Sequence, residues 1–146
     1  MKTSGGFLIT QIKHASGRVF EKLLRDSGID VFNGAQGRIL YVLWQAERLT
    51  ISEIAKRTSL AKTTLTSMLD RMEEAGLVRR EPDQTNRRQI FVSITDKARA
   101  YQQAYDDVSD HMGELYYKGF TESEIQQFED TLRRILRNLE SEGESI

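Results

Sequence analysis

No cysteine occurs among the 146 residues, which removes disulfide frameworks, thiolate zinc sites, cysteine nucleophiles and thiol-based redox sensing together. A reducing, cytoplasmic setting fits that composition. Long apolar runs are missing too: no uncharged stretch approaches the roughly 20 residues that a membrane-spanning helix needs, so a soluble chain with no membrane partner is expected. The opening MKTSGGFLITQIKHASG holds a short apolar run broken by Lys13 and His14. It is shorter than a signal-peptide core and lacks a cleavage site, so export by that route is not expected. There is no glycine-rich phosphate loop and no metal-ligand spacing, and the two histidines, His14 and His111, stand far apart. Catalytic residues, a metal and a cofactor are therefore not expected. Asp106, Asp107, Asp110 and Glu114 cluster in sequence, but a solvated helix face accounts for them.

What is present fits one domain spanning 1–146. The length lies in the usual single-domain range, and 38% apolar content is enough for a core without disulfides or metal. The net charge of −1 hides an asymmetry. Residues 1–49 carry seven basic and four acidic groups, a net of +3; residues 50–95 carry eight and six, +2; residues 96–146 carry six and twelve, −6. Such a split places a basic face toward a polyanion and keeps an acidic region away from it, although an ordinary solvated surface also produces it.

Apolar spacing lays out the elements. Leu8, Ile12, Ala15, Val19 and Leu23 recur at three and four residues, which predicts a helix over 7–26 with one apolar stripe; Gly28 stops it. A second, buried helix is predicted over 34–46, with Ile39, Leu40, Val42, Leu43 and Trp44 leaving little polar surface. Leu49 to Ile51 can form a short strand. Ser52, or Thr50 with Glu53 three residues on, then caps a brief helix over 53–58. Ser59, Leu60 and Ala61 make a turn, and a helix over 62–75 follows, ended by Gly76. Two short helices joined this way form a helix-turn-helix. Strands are predicted over 77–81 and 89–94, joined by Pro82-Asp83-Gln84-Thr85-Asn86-Arg87-Arg88, an exposed basic hairpin. Thr95 caps one long helix over 96–118, slightly weakened by Gly113. Thr121 and Glu124 form a capping box for a last helix carrying Ile125, Phe128, Leu132, Ile135 and Leu139. Only the first six residues and 140–146 are expected to be disordered. The fold class is thus mostly α, a winged helix-turn-helix over 34–95 flanked by long amphipathic helices at 7–26 and 96–142.

The helix over 62–75 carries the chemistry. Leu65, Met68, Leu69, Met72 and Ala75 form its buried stripe, leaving Thr63, Thr64, Thr66, Ser67 and Arg71 exposed. Threonine is a poor helix former, so a threonine-rich exposed face asks for a reason beyond stability. About 14 residues span roughly 21 Å, a size that enters a DNA major groove. Hydroxyls bond phosphates or base edges, threonine methyls pack on a thymine methyl, and Arg71 reaches a phosphate or guanine. Lys62 adds charge where the helix dipole already favours an anion. Arg87 and Arg88 on the hairpin, the wing, suit a narrow minor groove, with Asn86 beside them. Asp83 is expected to stabilise the wing by pairing with one of these arginines. Taken alone, two arginines on a hairpin are simply solvated; the order helix, turn, helix, basic hairpin is what points to double-stranded DNA.

From Leu49 to Ala98 the chain resembles the MarR family of bacterial transcription regulators. The family's D-x-x-D-R-R wing reads here Asp83-Gln84-Thr85-Asn86-Arg87-Arg88, and its L-T-x-x-G helix start reads Ile94-Thr95-Asp96-Lys97-Ala98. The flanking helices match in number and length. Asn86 departs from the family's aspartate, which removes a charge and loosens a wing salt bridge; Ala98 replaces glycine and Ile94 leucine. The resemblance implies a homodimer whose first, fifth and sixth helices interlock, a pseudo-palindromic operator and, most often, repression. Independently but more weakly, the terminal apolar stripes exceed what a small winged module covers. Two modules roughly 34 Å apart would match successive major grooves on one face of the duplex.

Many members of that family bind a small aromatic or anionic effector between the dimerisation helices and the winged module. Here His14, Arg18, Tyr41, Trp44 and Tyr105 would form such a pocket; the alternative is core aromatics with solvated charges. A winged helix also serves as a protein–protein interaction module that does not bind DNA; the wing arginines and salt-dependent DNA affinity separate the two readings.

Overall fold

In the computed structural model, which describes residues 1–145, the chain runs α1 (Gly5–Asp26), α2 (Gly34–Trp44), β1 (Leu49–Thr50), α3 (Ile51–Thr58), α4 (Lys62–Glu74), β2 (Val78–Pro82), β3 (Ile90–Ile94), α5 (Asp96–Arg99), α6 (Gln102–Tyr116) and α7 (Glu122–Ser145). Mostly helical, it has one small antiparallel sheet of order β1-β3-β2. Two compact units make up the described chain, Met1–Met112 and the segment that begins at Gly113.

In the first unit, caps fix where the helices start. Asn33 accepts the Gln36 N–H at 2.8 Å while the Gln36 side chain accepts the Asn33 N–H. Thr50 and Glu53 make the same reciprocal pair for α3, so Thr50 and not Ser52 is the cap. Each such cap is worth about 1 kcal/mol. Between α3 and α4, Ser59 takes a left-handed φ of 59°, and at the far end of α4 Gly76 takes one of 76°. The core gathers Leu24, Ile39, Leu40, Leu43, Ile54, Leu65, Leu69, Met72, Leu77 and Val92, all 1% exposed or less. Each contributes roughly 1.5–3 kcal/mol by leaving water. On α2, Gly37 lets the Tyr105 ring lie where a Cβ would meet it at 2.6 Å.

Register decides which wing residues face inward. Val78 pairs with Ile94, Arg80 with Val92 and Pro82 with Ile90. Directly opposed residues share a face, so Arg80 lies on the same side as the buried Val92 and Ile94. Arg79, Glu81 and Phe91 occupy the other side, where the Arg48 guanidinium stacks 4.0 Å from the Phe91 ring centre.

Several expectations change. The long helix over 96–118 is two, α5 and α6, parted at Ala100 and Tyr101 and ending at Tyr116. The Ala98 carbonyl accepts the Trp44 indole N–H at 3.2 Å and the Tyr101 N–H at 3.1 Å, an i to i−3 bond that tightens the turn. Gly113 interrupts nothing. Helix α1 starts at Gly5, with the Leu8 N–H bonded to the Ser4 carbonyl, and α7 continues through 140–145, so residues 5–6 and 140–145 are helical where disorder is the expectation. Ile146 lies outside the described residues. On α1 the buried residue is Leu24, off the predicted stripe, while Leu8, Ile12 and Val19 are exposed.

In the second unit Thr121 and Glu124 form the predicted box. The Tyr117 hydroxyl donates to Glu129 at 2.7 Å; burial first, then this bond, pushes its phenol up to about 12. Ile135, Leu136 and Leu139 stay exposed.

Candidate nucleic-acid interface

The buried side of α4, Leu65, Leu69 and Met72, anchors it so that Lys62, Thr63, Thr64, Thr66, Ser67 and Arg71 all stand exposed. Its N-cap, Ala61, supplies no side-chain acceptor, so the leading backbone N–H groups have no cap of that kind and add to the pull of Lys62 on an anion. The Thr66 hydroxyl donates to the Lys62 carbonyl at 2.8 Å. Its hydrogen is thereby engaged and its methyl is the free chemical group. Thr63, Thr64 and Ser67 complete a small polar surface.

The wing holds its shape by bonds within the loop. Asp83 accepts from the Thr85 N–H at 2.9 Å and the Thr85 hydroxyl at 2.8 Å. These contacts, the backbone one first, lower its carboxyl below the ordinary range. Asn86 accepts the Arg88 N–H at 3.1 Å through its side chain and the Gln89 N–H at 3.0 Å through its carbonyl. The expected Asp83–arginine pair is absent: among the described residues no carboxylate lies at ion-pair distance from Arg87 or Arg88. A two-residue turn is within reach of a short aspartate side chain, and Thr85 satisfies it before either arginine can.

Three contacts around α4 escaped the sequence. Arg80 donates to Asp70 at 2.7 Å and to Glu73 at 3.1 Å, and its own backbone N–H bonds Glu73 at 3.0 Å. The Glu73 carboxyl is lowered as a result, chiefly by the Arg80 side chain. Lys97 donates to the Ala75 carbonyl at 2.7 Å, a cation on the C-terminal end of α4. Buried Thr95 donates to the Gly76 carbonyl at 2.5 Å, in addition to accepting the Ala98 N–H at 3.3 Å as the predicted cap. The strand alternation carried the only sequence signal for Arg80.

The five residues proposed for an effector fall into two sets, Tyr41, Trp44 and Tyr105 in one and His14 and Arg18 in the other, with Phe20 touching both. Tyr105 is buried, with Trp44 at 5.3 Å and Tyr41 at 6.4 Å between ring centres and Phe20 and Phe32 on its other sides. This is a core cluster. Burial is the main cause that raises its phenol. His14 and Arg18 line a separate groove of about 340 Å³ between α1 and α2, with Lys13, Phe20, Glu21 and Arg38.

Comparison with known proteins bears on the same stretch. Residues 32–90 match the MarR family. The HTH-type transcriptional regulator TtmR of Methylorubrum extorquens (strain PA1) is 33% identical over 126 residues, 86% of this chain and 62% of that protein. The chain therefore spans less than two thirds of TtmR. The HTH-type transcriptional repressor IacR of Pseudomonas putida is 29% identical over 121 residues, 83% and 71% of the respective chains. A mutant of MarR from E. coli, crystallised in complex with operator DNA, superposes with a TM-score of 0.80 at 28% identity, covering 90% of this chain and 92% of that one. The matched residues run from Phe32, just before α2, through the helix-turn-helix to the wing, and over that stretch the chain is similar to the MarR family.

Proposed function

We propose that this protein is a DNA-binding transcriptional regulator, a cytoplasmic repressor that acts as a homodimer on a pseudo-palindromic operator. One observation carries the reading: an anchored helix presents hydroxyls, Lys62 and Arg71 to solvent beside a prefolded wing whose Arg87 and Arg88 have no carboxylate partner among the described residues. The major groove receives Lys62, Thr63, Thr64, Thr66, Ser67 and Arg71. A minor groove takes Arg87, with Arg88 and Asn86 beside it. The DNA complex of the E. coli relative supports the same partner.

The whole chain, 1–146, works as one MarR-like domain, with 34–95 the DNA-reading region and 7–26 and 96–142 the dimerisation helices. Exposed apolar side chains support this: Phe7, Leu8 and Ile12 on α1, and Ile135, Leu136 and Leu139 on α7. A small aromatic or anionic effector is taken by the groove at His14 and Arg18, which Lys13, Arg38 and the Phe20 ring also line; its volume falls in the range of small-molecule sites.

Selecting bound duplexes from a random pool tests the central reading. The expected outcome is enrichment of two inverted half-sites with centres about 10 base pairs apart. No enrichment at low salt would sink it in favour of a protein-interaction module.

A further inference from the structure

Arg80 sits on the inward face of the sheet, opposite Val92, yet its guanidinium emerges to meet two carboxylates of α4. Its side chain is only 21% exposed, the stem lying along apolar surface while the head reaches out. Asp70 and Glu73 are three residues apart, on one side of the helix that presents Thr63, Ser67 and Arg71. One Nη binds both acids, and the Glu73 carboxylate also takes the Arg80 backbone N–H. Only Ala75, Gly76 and Leu77 connect α4 to β2. Gly76 has a left-handed φ of 76°, and a Cβ there would stand 3.7 Å from the Lys97 side chain. Thr95 and Lys97 hold the carbonyls of that link from the α5 side; among the described residues, the ion pairs that join α4 directly to β2 are those of Arg80.

We propose that Arg80 is a positioning residue: by bridging Asp70 and Glu73 it fixes the wing to the reading helix, so that the major and minor grooves are read as one unit. The inference rests on the DNA-binding reading above. Arg80 itself need not touch DNA, because its donors are turned to the two acids. The same bridge neutralises carboxylates that would otherwise face phosphates. Guanidinium geometry matters here, since the two N–H bonds of that planar Nη point in fixed directions, where the donors of an ammonium rotate freely.

The test is a double-mutant cycle on a selected duplex, using the full chain. In the wild type, Arg87→Ala is expected to weaken binding about 10-fold or more. In an Arg80→Met background, which keeps the apolar stem, the same change is expected to cost less than about 3-fold, because the wing is no longer held in its groove. Arg80→Lys should fall between. A second variant, Asp70→Asn with Glu73→Gln, removes the partners from the exposed side and leaves the sheet face intact. Electrostatics alone would make this variant bind tighter; the clamp predicts instead the same shrinkage of the Arg87→Ala penalty. An unchanged penalty in these backgrounds, or a wild-type penalty below about 3-fold, overturns the clamp while DNA binding stands. If the wild type binds no duplex, the DNA-binding reading and the clamp fall together.

Discussion

Salt dependence offers the sharpest test of the proposed interface. Each module presents Lys62, Arg71, Arg87 and Arg88 as exposed cations, and two modules give about eight phosphate-neutralising contacts, hence a slope of log K against log salt near −7. Between roughly 50 and 200 mM salt, affinity should fall by about 10⁴-fold. Arg87→Ala removes one cation from each module, so the slope should relax to about −5 and the loss over that range to about 10³-fold. Fluorescence anisotropy on a labelled selected duplex, repeated across a salt series, reads both. Arg137→Ala on α7 removes the same charge outside the winged module and should leave the slope alone. A wild-type slope shallower than about −3, or equal slopes for wild type and Arg87→Ala, would refute the placement of these cations.

Two further outcomes concern stability. Thr95→Val keeps shape but strips the hydroxyl that serves the Gly76 carbonyl and the Ala98 N–H; losing a cap and leaving buried groups unpaired should cost about 2–3 kcal/mol. The melting temperature should drop by roughly 5–10 °C at fixed protein concentration, whereas Thr95→Ser should drop it less; the opposite order would contradict the bonding described. For Tyr117, the folded phenol titrates at about 12, above its unfolded value. Its contribution is fully present below the unfolded pKa, near 10, and is lost as pH rises through about 12. Tyr117→Phe should therefore shrink the tyrosinate absorbance step near pH 12 by one phenol, and an unaltered step would count against the Glu129 bond.

Local chemistry made much of this molecule legible in its sequence. The stripe Leu65, Leu69 and Met72, the stop at Gly76 and the Thr121–Glu124 box need only neighbours three or four residues away, and each stands where spacing put it. The break between α5 and α6 does not have that character. It depends on the Trp44 indole reaching the Ala98 carbonyl across 54 positions, which no helical period records. Arg80 was hidden for a related reason: its partners follow from strand register, and within the strand it reads as one more exposed charge. Asp83 bonds Thr85, two residues on, and not the adjacent arginines that charge alone suggests, because a two-residue turn suits its short side chain. The effector residues form two sets because Tyr105 is buried against Phe20 and Phe32 while His14 and Arg18 are exposed on α1, Phe20 standing between them. The Asn33–Gln36 cap was readable as an N-x-x-Q before an apolar run.

The wing loop has one more consequence, and it is entropic. Fixing the backbone of a free residue costs about 1–2 kcal/mol, and a floppy loop must meet that cost when it binds. With Asp83 closing on Thr85 and Asn86 on Arg88, part of the ordering is complete before any duplex arrives, so less affinity is spent on shaping the loop. Asn86 does this with an amide. An aspartate there would accept the same Arg88 N–H, but would set a negative charge beside the arginines meant for a polyanion. Asparagine keeps the turn and leaves the arginines' positive field undiminished.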